Sequence, residues 1–205
     1  MTETRDFAPL QPEDYIPLFS SQARLGIIAA AMGAAMSAQE KLRALLETQP
    51  VASLAVLERG APAVSLVPFV VQWDPLRFAI VISDLSPHTQ ALREDPRVGL
   101  LIHEPPTAGD PRSNHALPRL MVSGTAQFLS REEAQAQGFE ALYRAKYEIA
   151  EIILGLADFH FCQITPTGGS FIQGFGQAFR LSGPNLDQLE HLGRADPGSR
   201  LGAAG

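Results

Sequence analysis

Cys162 and five histidines are the side chains of this sequence best suited to hold a metal or move a proton, and their number narrows the chemistry open to the chain. A lone cysteine makes no intramolecular disulfide and offers no thiolate cluster for zinc, so a reducing, cytoplasmic setting is expected, with Cys162 a small buried residue in a strand. No nucleophile stands beside a base, and the carboxylates show no spacing that argues for paired acid and base work. If the chain is an enzyme, a bound cofactor carries the redox chemistry and the polypeptide positions it and controls access. One further feature bears on chemistry. Ser86 to Glu94 (SPHTQALRE) opens with a capping serine and a proline at the first helical position and stops at Asp95-Pro96, which predicts a short helix whose first turn carries His88 and Thr89.

The elements that must position these residues are mainly strands. Ala38 to Glu47 (AQEKLRALLE) sets Leu42, Leu45 and Leu46 on one helical face, with Ser37 as N-cap and Glu40 as its capping-box partner. The period then changes. Val51 to Leu57, Ala63 to Gln72 and Arg77 to Ser83 are short β-branched or aromatic-rich runs broken at Arg59-Gly60 and Asp74-Pro75, which predicts an antiparallel meander. Strands are also expected over Arg97 to His103, Arg119 to Leu129, Phe159 to Thr165 and Ser170 to Leu181, the last two separated by a turn at Pro166-Thr167-Gly168-Gly169. Arg131 to about Gly155 reads as largely helical. There are too few alternating βα units for a doubly wound sheet, so a small barrel with flanking helices is the expected architecture.

At 205 residues the chain suits one domain with extensions: an arm and helix over 1–37, the barrel over 38–181 and a flexible tail over 182–205. A formal charge of -6, with no cluster of basic residues interleaved with aromatics, argues against nucleic acid as a partner. Met1 to Phe19 is mixed and proline-punctuated, unlike a secretory signal. The apolar run Leu25 to Met36 is about 12 residues, short of the roughly 20 that cross a bilayer, so no membrane partner is expected.

Five segments carry a family resemblance: PAVSLVPFV (Pro62 to Val70), ISDLSPHTQALREDPRVGLLI (Ile82 to Ile102), PRLMVSGTAQ (Pro118 to Gln127), ADFHFCQI (Ala157 to Ile164) and IQGFGQAF (Ile172 to Phe179). Their order and spacing resemble the pyridoxamine 5'-phosphate oxidase-like split barrels, most of all the branch associated with haem utilisation and haem degradation. The resemblance implies a mainly β, α+β fold: a six-stranded antiparallel split barrel with flanking helices. It also implies a homodimer with FMN, or a related small-molecule ligand, in the groove between protomers. Matched position by position, it implies Ser65, Ser83, His88 and Thr89 at the flavin phosphate, with Arg119 as an added cation and Phe175 and Gly176 bordering the ligand.

An FMN phosphate carries roughly -1.5 to -2 charge, which a helix N-terminus suits. Hydroxyls and an imidazole here stand where the oxidases of the family present arginine and lysine, and the motifs for pyridoxamine phosphate are missing. Three readings follow: an FMN-binding oxidoreductase, a haem-binding or haem-degrading oxygenase, and a binding protein that has lost its cofactor. Haem needs an axial donor. His191 resembles in placement the C-terminal ligand of the haem-degrading relatives, and His103, His115 and His160 have weaker claims.

Overall fold

Eight strands and five helices make up the described part of the chain, residues 36–106 and 116–193 of a computed structural model. The expectations for the arm, for the run ending at Met36, for His115 and for the end of the tail lie outside the described residues.

Helix α1 (Ala38–Thr48) begins where the sequence places a capping box: the Ser37 hydroxyl accepts from the Glu40 N–H at 3.2 Å, and the Glu40 carboxylate accepts from the Ser37 N–H at 2.7 Å. Strands β1 (Val51–Glu58) and β2 (Ala61–Gln72) form a hairpin through Arg59 and Gly60, both at positive φ, the geometry of the tight turns whose twist matches paired strands. Strand β3 (Arg77–Ser83) leads into α2 (Pro87–Glu94), followed by β4 (Arg97–His103) and β5 (Arg119–Leu129). The run expected to be largely helical is three pieces, α3 (Arg131–Ala136), α4 (Phe139–Lys146) and α5 (Ala150–Leu154), with Gly138 at φ +81 dividing the first two.

Strand β6 (Phe159–Gly174) closes the structure. The strand order β3-β2-β1-β4-β5-β6, together with pairing of β3 to β6, makes a closed six-stranded antiparallel barrel. Two more strands, β7 (Gln177–Ser182) and β8 (Gln188–His191), extend the sheet from the second half of β6. The barrel interior is one apolar core, into which α1 buries Leu42, Leu45 and Leu46 and α2 buries Ala91 and Leu92. A second cluster lies outside the wall, where α4 and its neighbours press Phe139 and Tyr143 onto Val70, Val81 and Phe161. Strand β3 is therefore buried on both faces, whereas β5 alternates buried and exposed.

Two expectations change. Pro166 to Gly169 does not turn the chain: Ser123 opposes Gly168 while Gly124 opposes Pro166, so Thr167 is the extra residue of a bulge within one continuous strand. Proline and glycine serve a bulge as readily as a turn, and β5 is long enough to pair with both halves of β6. The turn comes later, at Gly174-Phe175-Gly176, inside the run Ser170 to Leu181 expected to be a single last strand. The region expected to be a flexible tail contains β8, whose Leu189 packs against the core.

Candidate functional site

Ser83 ends β3 and Thr89 sits in the first turn of α2, and both hydroxyls are used within the chain. The Ser83 hydroxyl donates to Asp158 Oδ2 at 2.6 Å and accepts from the Leu85 N–H at 3.1 Å. Thr89, fully buried, donates to the Ser83 carbonyl at 2.6 Å. These bonds lock the helix to the strand end. Strand register puts Ser65 elsewhere: it pairs with Leu54 on the row facing the barrel interior, while Ser83 continues the outward row of Ala79 and Val81. The Ser65 hydroxyl is buried and unpaired among the described residues, as is His88 Nε2, and burial pushes the His88 imidazole below its ordinary value. Arg119 opens β5 and donates to the Leu117 carbonyl at 3.2 Å.

The residues expected at a flavin phosphate are thus not brought together in one cradle. Ser65 and Ser83 face opposite sides of the wall, and His88 favours its uncharged form. The cation on α2, Arg93, is spent on Asp84 at 2.6 Å and on the Phe128 ring. Within one chain, Ser65, Ser83, His88 and Thr89 do not by themselves form a charged cradle for a dianionic phosphate.

Sequence reasoning missed Asp84, which binds Arg93 through Oδ1 and His160 Nε2 through Oδ2 at 2.8 Å. The His160 bond, then Arg93, hold its carboxyl below the usual range against the opposing effect of burial. Asp84 and His160 are 76 residues apart in sequence, and only closure of β3 on β6 joins them. His160 also borders a cavity of about 190 Å³ lined by Arg131, Glu140, Arg144 and Phe161. That volume is below the roughly 300 Å³ at which cofactor pockets begin, so this cavity does not enclose a flavin or haem.

His191 is the histidine best placed for a metal. Along the core-facing side of the extension, buried Phe171 pairs with half-buried Phe179, and Phe179 pairs with exposed His191. The ring stands edge-on to Phe179 at 5.2 Å, and Nε2 lies 3.1 Å from the Gly176 carbonyl. A carbonyl only accepts, so Nε2 is the donor in this contact and Nδ1 lies outside it. Metal-bound histidines are held in this way, with one ring nitrogen donating to an acceptor and the other left for the metal. His191 therefore fits a single axial position. His103 is exposed, with Nδ1 2.7 Å from the Glu104 carbonyl.

A closed six-stranded barrel whose last barrel strand runs on into an edge extension, with helices packed into its core, defines a split β-barrel protein. The family model for pyridoxamine 5'-phosphate oxidase matches residues 38–173, and the chain belongs to that family. It is 30% identical over 135 residues to the haem oxygenase HutZ of Vibrio cholerae, covering 65% of this chain and 74% of HutZ. It is 28% identical over 167 residues to the chloroplast haem oxygenase HOZ of Arabidopsis thaliana, covering 80% of this chain and 49% of that protein. Among solved structures, a haem-binding protein from Mycobacterium smegmatis superposes with a TM-score of 0.63 at 23% identity, over 74% of this chain and 61% of that one.

Proposed function

We propose that this protein is a haem-binding, haem-degrading oxygenase that works as a homodimer in the cytoplasm. The relationship to HutZ carries the reading, since it covers 65% of this chain at 30% identity, and the placement of His191 agrees with it. The alternative of an FMN oxidoreductase has family membership behind it, but the spent hydroxyls of Ser83 and Thr89 weigh against it.

His191 would hold the iron. Bound haem supplies the redox chemistry through which its own macrocycle is oxidised, with molecular oxygen and an external reductant consumed. The chain orients the donor through the Gly176 carbonyl and offers Phe179 as an apolar support behind the ring. The rest of the pocket would come from a second copy, since His191 itself is exposed.

Haem titration of the purified protein tests this. A Soret band should saturate near one haem per chain, and His191→Ala should weaken binding roughly tenfold or more. Ascorbate in air, with catalase present, should then bleach the bound Soret band. Failure to bind haem, with FMN bound at about micromolar affinity, would transfer the assignment to the flavin reading.

A further inference from the structure

Five buried side-chain atoms have no hydrogen-bond partner among the described residues, and three of them, Arg77 Nε, Gln137 Oε1 and Gln163 Oε1, gather on the outer side of the barrel wall. Strand pairing brings them there. Gln163 on β6 lies opposite Ala79 on β3, and Ala79 belongs to the outer apolar cluster, so Gln163 faces outward with it. Arg77, two residues before Ala79, shares that face and is the diagonal neighbour of Gln163, within reach for side chains of this length. Arg77 is also opposite Gln72, whose Nε2 donates to the Gln137 carbonyl at 2.8 Å, and this bond sets the α3–α4 connection over the Gln72–Arg77 pair. The place is open on one side, where Thr165 and Gln127 are exposed.

Buried polar atoms are ordinarily paired, so three orphans in one place mark a site that something outside the chain completes. Their chemistry says what. Arg77 is half-buried and enters no ion pair among the described residues, so its guanidinium calls for an anion. Gln163, 5% exposed, already donates through Nε2 to Thr165 Oγ1 at 3.3 Å, so its free atom is an acceptor, as is that of Gln137. Water would satisfy the amide oxygens but leave the guanidinium's charge unanswered, and a bare anion would be repelled by those oxygens. The geometry points to a binding site for a free α-amino acid, with its carboxylate on Arg77 and its ammonium donating to Gln137 and Gln163. A peptide terminus carries only one of the two groups and does not fit. The site is separate from His191 and does not depend on the haem reading.

Glycine is the probe, added to 15N-labelled full-length protein whose glutamine side-chain amide signals are assigned with Gln137→Ala and Gln163→Leu. The Gln137 and Gln163 signals should shift and saturate with a Kd of about 1 mM, whereas acetate and methylamine, each carrying half of the head group, should bind at least tenfold more weakly. Arg77→Gln should weaken glycine binding tenfold or more while leaving haem binding unchanged. Gln137→Ala, in the connection between two helices, should weaken it as well, and serves as the test if Arg77→Gln fails to fold. Shifts that do not saturate by about 50 mM glycine would overturn the proposal, as would acetate binding as tightly as glycine, or full affinity in the folded variants.

Discussion

Tyr147 shows how one side chain completes a barrel. Pairing of β1 with β2 starts at Val51 opposite Pro68, so the next residue outward, Pro50, lies opposite Phe69 and has no N–H to offer it. The Tyr147 hydroxyl takes that place: it accepts from the Phe69 N–H at 2.9 Å and lies 2.7 Å from the Phe69 carbonyl and 2.5 Å from the Pro50 carbonyl. Tyr147→Phe should cost about 1–3 kcal/mol in urea unfolding, the price of leaving buried backbone groups unpaired. Its neighbour Lys146 donates to the Gln49 carbonyl at 2.8 Å and lies 4.1 Å from the Phe69 ring centre. Burial pushes its ammonium down to about 8, against the pull of that carbonyl and ring. An unfolded lysine keeps its proton to the ordinary value of 10.5, so above about 8 the unfolded chain binds more protons and stability rises with pH. Above 9 the Cys162 thiol, pushed up to about 12 by burial, works in the opposite sense. The measurement is therefore the difference in urea midpoint between wild type and Lys146→Met: the variant should be the more stable near neutrality, and the gap should narrow as pH rises past 8.

The bulge in β6 is the feature that lets one strand serve both the barrel and its extension. From Phe159 to Ile164 it pairs with β3 and closes the barrel; from Gly169 onward it pairs with β7. Glycine is required where the strands crowd at this change. A Cβ on Gly124 would lie 2.7 Å from the Thr165 carbonyl oxygen, and one on Gly169 would lie 2.7 Å from the Met121 carbonyl oxygen. Gly99, also in the wall, would meet Ala55 at an ordinary 3.5 Å. Gly124→Ala should therefore lower stability by about 1–3 kcal/mol while Gly99→Ala changes it little, a contrast that thermal melts resolve. Because the extension carries His191, Gly124→Ala should also weaken haem binding.

At the scale of the whole barrel, one outward row among the described residues is largely apolar. The outward row Leu66, Ser53, Leu101 and Met121 crosses four strands in register, and Val64 and Leu66 are 73% and 66% exposed. Isolated exposed apolar side chains are common, but a row aligned across a sheet marks a contact surface. A second copy seated on this face would bury it. Sedimentation should give twice the 22.1 kDa chain mass, and Leu66→Glu should shift it to the monomer. Among the described residues no helix is long and apolar enough to cross a membrane.

Periodicity, caps and turn residues, all local, determined the helix at Ala38–Thr48, the hairpin at Arg59-Gly60 and the strands Arg77–Ser83, Arg97–His103 and Arg119–Leu129. Each depends on a few neighbouring residues, which a sequence displays directly. The site was less legible. Ser65 and Ser83 look alike in sequence, yet pairing register assigns them to opposite faces, because side chains alternate with a period of two and parity is fixed only against a partner strand. Pro166 to Gly169 has turn chemistry, and only the length of the opposing β5 made it a bulge. His191 was nameable as a candidate, but its hydrogen-bond partner is a backbone carbonyl in the β6–β7 turn, and a carbonyl carries no residue signature. Tertiary structure decided these points because each is a relation between segments far apart in the chain.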